Sequence, residues 1–372
     1  MTKPSSKRFI SLDAFRGFTI MLMILVNNPG SWNHVYGPFR HARWHGCTLT
    51  DLVFPFFLFI VGVAMAFSFA RRLEALESRR PVHLKIVRRT LVLIALGVFM
   101  YLYPHFEFST MRIPGVLQRI GLCYFFASMI ILHTGNRGRI LWCVGLLLGY
   151  WAAMVFIPFP GKGSDPWVLG GNLAQYIDNL LFKGHMWTPV FDPEGLLSTV
   201  PAVVHVLFGY LAGDWIRSQR DTLAKTNGLF IAANVALVAG FLWAQWMPLN
   251  KQLWTSSYVL VTTGVALHFL SVSFWLIDIR GFDRFTRPFI IFGSNAILVY
   301  VLSSLTAKTL IRVWQWESED AGSVSAWSCV YDRVFQPVFG NAFGSLMMAV
   351  VFVSFWLGMM TILYRKKVFI KI

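Results

Sequence analysis

The sequence predicts an all-α integral membrane protein of about ten transmembrane helices, with both termini in the cytoplasm. Three observations predict this class: a very apolar composition, ten long apolar stretches, and basic residues confined to alternate loops. Of the 372 residues, 56% are hydrophobic and 13% are charged. A soluble protein of this length would be left with an apolar surface that it could not bury.

The ten apolar stretches are each long enough to cross a hydrocarbon core of about 30 Å at about 1.5 Å per helical residue. In chain order they are residues 9–28, 49–70, 86–104, 114–133, 140–157, 198–216, 227–246, 255–277, 288–308 and 342–363. The first follows a basic start, as in a signal peptide. Because no small-residue cleavage site follows it, we interpret it as a retained helix.

Basic residues occur in every second connection between these stretches. Of the 33 Lys and Arg residues, 22 lie in residues 1–8, 71–89, 137–139, 217–225, 280–287 and 365–371, whereas the opposite side carries ten basic and ten acidic residues. Short loops rich in Lys and Arg stay in the cytoplasm. The net charge of +16 is therefore explained by topology and requires no nucleic-acid partner.

The chain is predicted to form one transmembrane domain, residues 1–372, with long external loops at 158–197 and 309–341. Within the first loop, apolar residues recur at helical spacing and predict a short helix on the membrane surface; they are Leu173, Tyr176, Ile177, Leu180 and Leu181. Cys47 and Cys329 lie in external loops, where one disulfide would be chemically possible.

Polar residues on the first helix form one stripe. Asp13, Arg16 and Asn27 fall within about 60° of one another around a helix. Asp13 and Arg16 are spaced for an ion pair that would merely lock helices together. Asn27 lies near the outer end, where its amide could donate a hydrogen bond to a developing oxyanion.

The external segment 41–51 contains two histidines and one carboxylate. His41 and His45 would share a face if the segment were helical, but no zinc-protease motif or clear third ligand accompanies them, so no metal is predicted. Thr48 and Asp51 have the spacing of an acidic capping box. A histidine at the mouth of a membrane protein is either structural or a proton acceptor near neutral pH.

Two further segments carry buried charge. Pro114 is expected to start a helix that places Arg112 and Arg119 on one face, with Arg112 snorkelling and Arg119 facing a polar cavity. Asp192 is interpreted as a helix N-cap, and Asp192 and Glu194 together as outward carboxylates that attract a cationic sugar. Asn250, Ser257, Asn295 and Tyr300 add polar groups to late helices.

These residues stand in motifs that resemble one family. The motifs are Leu12-Asp-Ala-Phe-Arg16-Gly, Val26-Asn27, His41-Ala-x-Trp-x-Gly, Asp51-Leu-Val-Phe-Pro55, Arg112-Ile-Pro-Gly-Val-Leu-Gln-Arg119, Asp192-Pro-Glu-Gly195, Asn250-Lys-x-Leu-Trp-x-x-Ser257-Tyr and Tyr364-Arg-Lys-Lys-Val-Phe-Ile-Lys-Ile372. In this order they resemble heparan-alpha-glucosaminide N-acetyltransferase and its bacterial relatives, which are often labelled as N-acetylglucosamine-related transporters. The first motif is also similar to the wider transmembrane acyltransferases, whose comparable helix often ends in histidine where this chain has Asn27-Asn28.

The resemblance implies transfer of an acetyl group from cytoplasmic acetyl-CoA to an amino sugar across the membrane, without a metal. His41 matches the catalytic histidine and Asn27 an active-site asparagine, and Asp51 is expected to orient the imidazole. We expect CoA to contact Arg16, Arg88, Arg89, Arg119 and Asn295, and the acceptor to contact Arg112, Asp192, Glu194, Asn250 and Ser257.

Compared with the animal enzyme, we expect this chain to lack the lumenal domain that precedes the first helix there. We therefore expect a bacterial inner membrane, a small amino sugar or envelope glycan as acceptor, and a chain that either acts alone or forms a homodimer. The alternative function is an amino-sugar transporter. Transporters usually show repeated halves or paired broken helices, and the sequence shows no convincing internal repeat.

Overall fold

A computed structural model describes residues 9–75, 80–318 and 322–370. The helices are α1 (Ile10–Asn27), α2 (Leu49–Ala75), α3 (Arg80–Leu102), α4 (Val116–His133), α5 (Asn136–Phe156), α6 (Leu173–Phe182), α7 (Thr199–Arg217), α8 (Thr222–Trp243), α9 (Ser256–Ser273), α10 (Arg287–Ser294), α11 (Ala296–Lys308), α12 (Ala326–Val330), α13 (Gln336–Phe339) and α14 (Asn341–Arg365). A two-stranded antiparallel hairpin pairs β1 (Gln315–Ser318) with β2 (Gly322–Ser325). The chain is an all-α integral membrane protein, as predicted.

Within the described residues, nine helices are long and apolar enough to cross a membrane. They correspond to nine of the ten predicted stretches. The tenth is α3, whose 23 residues would also span about 35 Å but whose first half carries Lys85, Arg88 and Arg89. The cytoplasmic and external assignments remain predictions from charge, and Lys3, Lys7, Arg8, Arg79 and Lys371 lie outside the described residues.

The predicted continuous span 288–308 is broken in the middle. α10 ends at Ser294 and α11 begins at Ala296, so the buried Asn295 connects two helices. Its side-chain nitrogen donates a hydrogen bond to Val368 O at 3.0 Å, and its oxygen accepts one from the Ile370 N–H at 2.9 Å. Asn295 therefore holds the segment after α14 against the break, and its predicted contact with CoA stays a prediction.

Two helix pairs are brought together by small residues. A Cβ at Gly17 of α1 would lie 1.6 Å from Phe289 O of α10, and one at Gly62 of α2 would lie 2.0 Å from Val206 O of α7. Only glycine permits such backbone contact, which is the usual way that membrane helices pack closely. These contacts fix α1 and α2, whose outer ends carry Asn27 and Asp51.

The connections predicted to be external contain short helices and a hairpin. The stripe that begins at Leu173 forms the predicted helix α6, with the Asn172 side chain accepting from the Gln175 N–H at its start. Residues 309–341 form the hairpin, α12, α13 and π-helical turns, while Glu319 and Asp320 lie outside the described residues. Cys47 and Cys329 are both free thiols.

Candidate functional site

A cavity of about 320 Å³ opens at the predicted outer end of the bundle, a size typical of small-molecule sites. Its floor is apolar and includes Met23, Val53 and Phe54, while its polar wall is drawn from six separate parts of the chain. The polar and aromatic lining residues are Asn27, His41, Thr50, Tyr101, Arg112, Trp187, Glu194, Lys251, Gln252 and Tyr300. Four predicted site residues, Asn27, His41, Arg112 and Glu194, therefore share one cavity.

His41 is oriented by Asp51. The segment around it is not helical, so the predicted shared helical face of His41 and His45 is wrong. Instead, His41 Nδ1 lies 2.6 Å from Asp51 Oδ1, and the carboxylate is almost completely buried at the start of α2. A proton held between these atoms leaves Nε2 with the lone pair, which is the form needed in a base or a nucleophile.

The other oxygen of Asp51 organises the loop. Asp51 Oδ2 accepts hydrogen bonds from the backbone N–H groups of Ala42 and Thr48, each at 3.0 Å, and from the Thr48 hydroxyl. One half of the predicted capping box is thus formed, since Asp51 reaches back to the residue before the helix. The capping and orienting functions predicted for Asp51 therefore use different oxygens of one carboxylate.

Lys251 is a candidate site residue that sequence reasoning missed. Its Nζ lies 3.1 Å from His41 Nδ1 and 3.6 Å from Asp51 Oδ1. Burial lowers the pKa of Lys251, while Asp51 and Glu194 oppose that shift. A sequence signal for Lys251 was present, because it is the second residue of the motif that begins at Asn250. Only Asn250 and Ser257 of that motif were predicted to contact the acceptor.

Asn250 and Ser257 do not line the cavity, contrary to their predicted contact with substrate. Both are completely buried. Asn250 Oδ1 accepts a hydrogen bond from the Leu253 N–H at 2.8 Å, and the Ser257 hydroxyl donates to Met247 O at 2.5 Å. These hydrogen bonds fix the turn that carries Lys251. Asn250 and Ser257 therefore support the site without lining the cavity.

Arg112 is buried in an ion-pair cluster, and the predicted snorkelling is wrong. Its guanidinium pairs with both oxygens of Asp192, at 2.7 and 2.5 Å, and also contacts Glu194. It stacks over Trp187 at 5.1 Å and donates to the Tyr101 hydroxyl at 2.6 Å. Burial by itself would lower the pKa of Arg112, but the two carboxylates more than offset this and raise it.

The same cluster corrects three further expectations. α4 begins at Val116, so Arg112 precedes the helix and does not share a helical face with Arg119. Asp192 caps no helix, because α7 begins at Thr199; its Oδ1 accepts from the Glu194 N–H within a turn. Arg112 pairs with both Asp192 and Glu194, and both carboxylates are buried, so neither is an open attractant for a cationic sugar.

Arg119 lies inside the protein and does not line the cavity predicted for it. It is 1% exposed and donates hydrogen bonds to Gly195 O, at 2.9 Å, and to the Ser198 hydroxyl. Its guanidinium lies 5.0 Å from the ring centre of Trp254. Arg119 thus ties α4 to the turn before α7, next to Glu194.

The predicted CoA residues near the cytoplasm are not in the cavity. Arg16 Nη1 lies 3.5 Å from Asp13 Oδ1, which confirms their proposed ion pair on α1. On α3, Arg88 is exposed and Arg89 stacks over Tyr124 at 4.7 Å. Their contact with CoA remains a prediction.

The thiol of Cys47, two residues after His45, is unreactive near neutral pH. Burial, together with the neighbouring Asp51 charge, raises the pKa of its thiol to about 12, with Lys251 acting in the opposite direction. The thiol therefore stays protonated near neutral pH and is a poor nucleophile. Within the described residues, no group of three or more His, Cys, Asp and Glu side chains is placed to hold a metal ion.

Comparison with known proteins agrees with the motif resemblance. Residues 8–163 match a domain of unknown function, DUF5009. The chain is 30% identical to heparan-alpha-glucosaminide N-acetyltransferase of Homo sapiens, over 98% of this chain and 60% of that protein. It is 29% identical to the Mus musculus enzyme of the same name, over 100% of this chain and 61% of that protein. The chain thus spans about three fifths of the length of these relatives.

Proposed function

Because this chain is similar along nearly its whole length to heparan-alpha-glucosaminide N-acetyltransferases, we propose that it is a transmembrane acetyltransferase. The donor is cytoplasmic acetyl-CoA, and the acceptor is the amine of glucosamine or a related amino sugar on the external face. The observation that carries the proposal is the arrangement of His41, Asp51 and Lys251 beside Asn27 in one outer cavity.

The proton transfer in this reaction is assigned to His41. An ammonium cannot attack a thioester, so the acceptor must lose a proton before its nitrogen bonds to the acetyl carbon. In the direct route, Nε2 takes that proton, the carbon–sulfur bond breaks, and the proton passes to the departing thiolate. In the alternative route, Nε2 itself attacks the acetyl carbon, and the carbon–sulfur bond breaks to release the CoA thiolate. The neutral amine then attacks the acetyl-imidazole, the bond from carbon to Nε2 breaks, and the amine proton passes to Nε2 and on to the thiolate.

Both routes form a tetrahedral oxyanion, and the cavity supplies two groups to stabilise it. The Asn27 amide can donate a hydrogen bond, and the Lys251 ammonium provides positive charge in the same wall. The apolar floor formed by Met23, Val53 and Phe54 limits water, which strengthens both interactions. Asp51 keeps the imidazole in the required tautomer.

The donor is proposed to enter from the opposite side of the membrane. The phosphates of CoA are anionic, and guanidinium groups bind phosphate through paired hydrogen bonds. Arg16, Arg88 and Arg89 are the proposed phosphate contacts, with the pantetheine arm directed along α1 towards Asn27. Arg119 and Asn295 would act through the turn and the tail that they hold. A bacterial inner membrane is the proposed location.

An amino-sugar transporter is the second candidate, and one observation favours it. Helices broken within the membrane occur at the substrate sites of many transporters, and α10 and α11 are separated at Asn295. The two functions are separated by paired assays on purified protein. We expect release of free CoA and formation of N-acetylglucosamine from acetyl-CoA and glucosamine. Uptake of labelled sugar into proteoliposomes without release of CoA would refute the acetyltransferase and support transport.

The position of Lys251 beside His41 predicts a contribution of its charge to turnover. Its Nζ lies 3.1 Å from His41 Nδ1 and lines the same cavity as Asn27. Lys251→Met removes the positive charge proposed to stabilise the oxyanion and is therefore expected to lower kcat by about tenfold or more. Lys251→Arg should retain more of the turnover because it retains the charge.

Other charges around His41 are unchanged by that substitution. Asp51 remains hydrogen-bonded to the ring, Arg112 and Glu194 remain paired with each other, and His45 and Cys47 lie on the same loop. Lys183→Met, at an exposed position outside the cavity, is the matched control and should leave kcat unchanged. A kcat that does not fall in Lys251→Met would exclude this role.

A further inference from the structure

A second cavity, of about 350 Å³, lies on the outer side of the first. It is enclosed by the chain that follows α1 and by α12 with the π-helical turn after it. Its lining includes Asn27, Trp32, Asn33, Ser328 and Asp332. Asn27 also lines the inner cavity, so this residue stands at the junction of the two.

We propose that this outer cavity is the docking site for the acceptor, bound as a protonated amino sugar before its amine reaches His41. This inference rests on the proposed acetyltransferase function and adds a binding site to it. The Asp332 carboxylate pairs with the ammonium, and the amide and hydroxyl groups of Asn33 and Ser328 bind the sugar hydroxyls.

The wall of the outer cavity is held in place by its own contacts. The Trp327 indole N–H donates to Pro29 O at 3.0 Å, joining α12 to the chain after α1. The Gly30 N–H donates to Ser345 O at 3.1 Å, and the Ser31 N–H to the Ser345 hydroxyl at 3.0 Å, which anchor that chain to α14. A wall fixed on two sides is suited to a preformed ligand site.

The chemistry of the lining favours a polyhydroxylated cation. The side chains offer amide, hydroxyl and carboxylate groups, which together donate and accept hydrogen bonds as sugar hydroxyls do. Trp32 is 61% exposed, and its ring gives an apolar face that also attracts cations. The lining contains Asp332 but no Lys or Arg; Arg312 and Arg333 are sequence neighbours of lining residues but do not line it.

The inner cavity, by contrast, has no carboxylate available for an incoming ammonium. Asp192 and Glu194 are paired with Arg112, and Asp51 is shared between His41 and Lys251. In the described residues, no side chain donates a hydrogen bond or ion pair to the Asp332 carboxylate. Electrostatics therefore directs a protonated amine to the outer cavity first.

The volumes of the two cavities also favour separate sites for the thioester and for the sugar. At about 320 Å³ the inner cavity is near the lower end of small-molecule sites, and the proposed reaction requires it to admit the thioester end of the donor. A second space of about 350 Å³, which shares the lining residue Asn27 with it, accommodates the body of the sugar. In this proposal the amine passes the Asn27 side chain to approach the imidazole.

The charge is tested with Asp332→Asn in the purified full chain, measured by acetyl-CoA-dependent acetylation of glucosamine. Because the carboxylate is exposed, we expect the KM for glucosamine to rise about threefold to fivefold, with kcat and the KM for acetyl-CoA nearly unchanged. Inhibition by N-acetylglucosamine, which is neutral, should not change. Glu107→Gln, an exposed external carboxylate outside both cavities, is the matched control.

The proposed volume of the outer cavity is tested with Ser328→Trp, which fills the cavity with an indole ring. We expect this substitution to weaken the binding of both glucosamine and N-acetylglucosamine by about tenfold or more. A titration with acetyl-CoA should still give the affinity of the unaltered protein. Unchanged glucosamine KM values in both variants would overturn the docking site while acetyl transfer persists. Absence of acetyl transfer in the unaltered protein would instead overturn the proposed function itself.

Discussion

Replacement of His41 by alanine is expected to lower the turnover of acetyl transfer by about a thousandfold or more, the range lost when a general base is removed. The imidazole lies in the cavity wall with its Nδ1 held 2.6 Å from Asp51, so Nε2 is the nitrogen left to take a proton from the acceptor. The side chain is 40% exposed, and its removal opens no large hole in the core. Turnover of glucosamine under saturating acetyl-CoA measures the effect.

Two comparisons separate chemistry from structure. The His41→Ala protein should bind acetyl-CoA with nearly unchanged affinity and unfold at nearly the same temperature. His45→Ala, on the same loop but outside the lining, should retain most of the activity. Turnover of His41→Ala close to that of the unaltered protein would eliminate both proposed routes, since each passes through this nitrogen.

Asn27→Ala is expected to lower kcat by about a hundredfold, the effect typical of removing one oxyanion donor. The amide is at the end of α1 and lines the cavity with His41, but the oxyanion that it would stabilise exists only in the transition state. The KM for acetyl-CoA should therefore change little. Single-turnover kinetics, which isolate the chemical step from product release, give the value directly.

Asn27→Asp is the isosteric companion to that substitution. It keeps the shape of the side chain but replaces the N–H donor with a carboxylate, so the developing negative charge would be repelled rather than stabilised. We expect it to be at least as slow as Asn27→Ala. Retention of turnover in Asn27→Asp would show that the position contributes shape and not hydrogen bonding.

The helices were predictable from sequence because their signal is local. Apolar length and basic loops depend only on neighbouring residues, and they placed the spans and the surface helix at Leu173 close to where the structure has them. The break at Asn295 was not visible in this way, because its cause is a pair of hydrogen bonds to Val368 and Ile370, 73 and 75 residues away.

The site was only partly predictable, for the same physical reason. Motif resemblance and proximity in sequence identified His41 and Asp51, which are ten residues apart. Arg112 was misjudged because its carboxylate partners lie 80 and 82 residues further along the chain, and without them a charged residue at a helix end is expected to snorkel. Lys251 reaches His41 across 210 residues, a contact that periodicity and spacing cannot indicate.

The two hydrogen bonds between Asn295 and the segment after α14 have a consequence for the order of membrane insertion. α10 and α11 leave the ribosome long before residues 368–370 are made, so the Asn295 amide must remain without these partners until α14 has been inserted. The bundle is closed at this point by residues that are synthesised 73 and 75 positions after the break. Assembly of the interior around the broken helix is in this sense a step of biogenesis that must wait for α14.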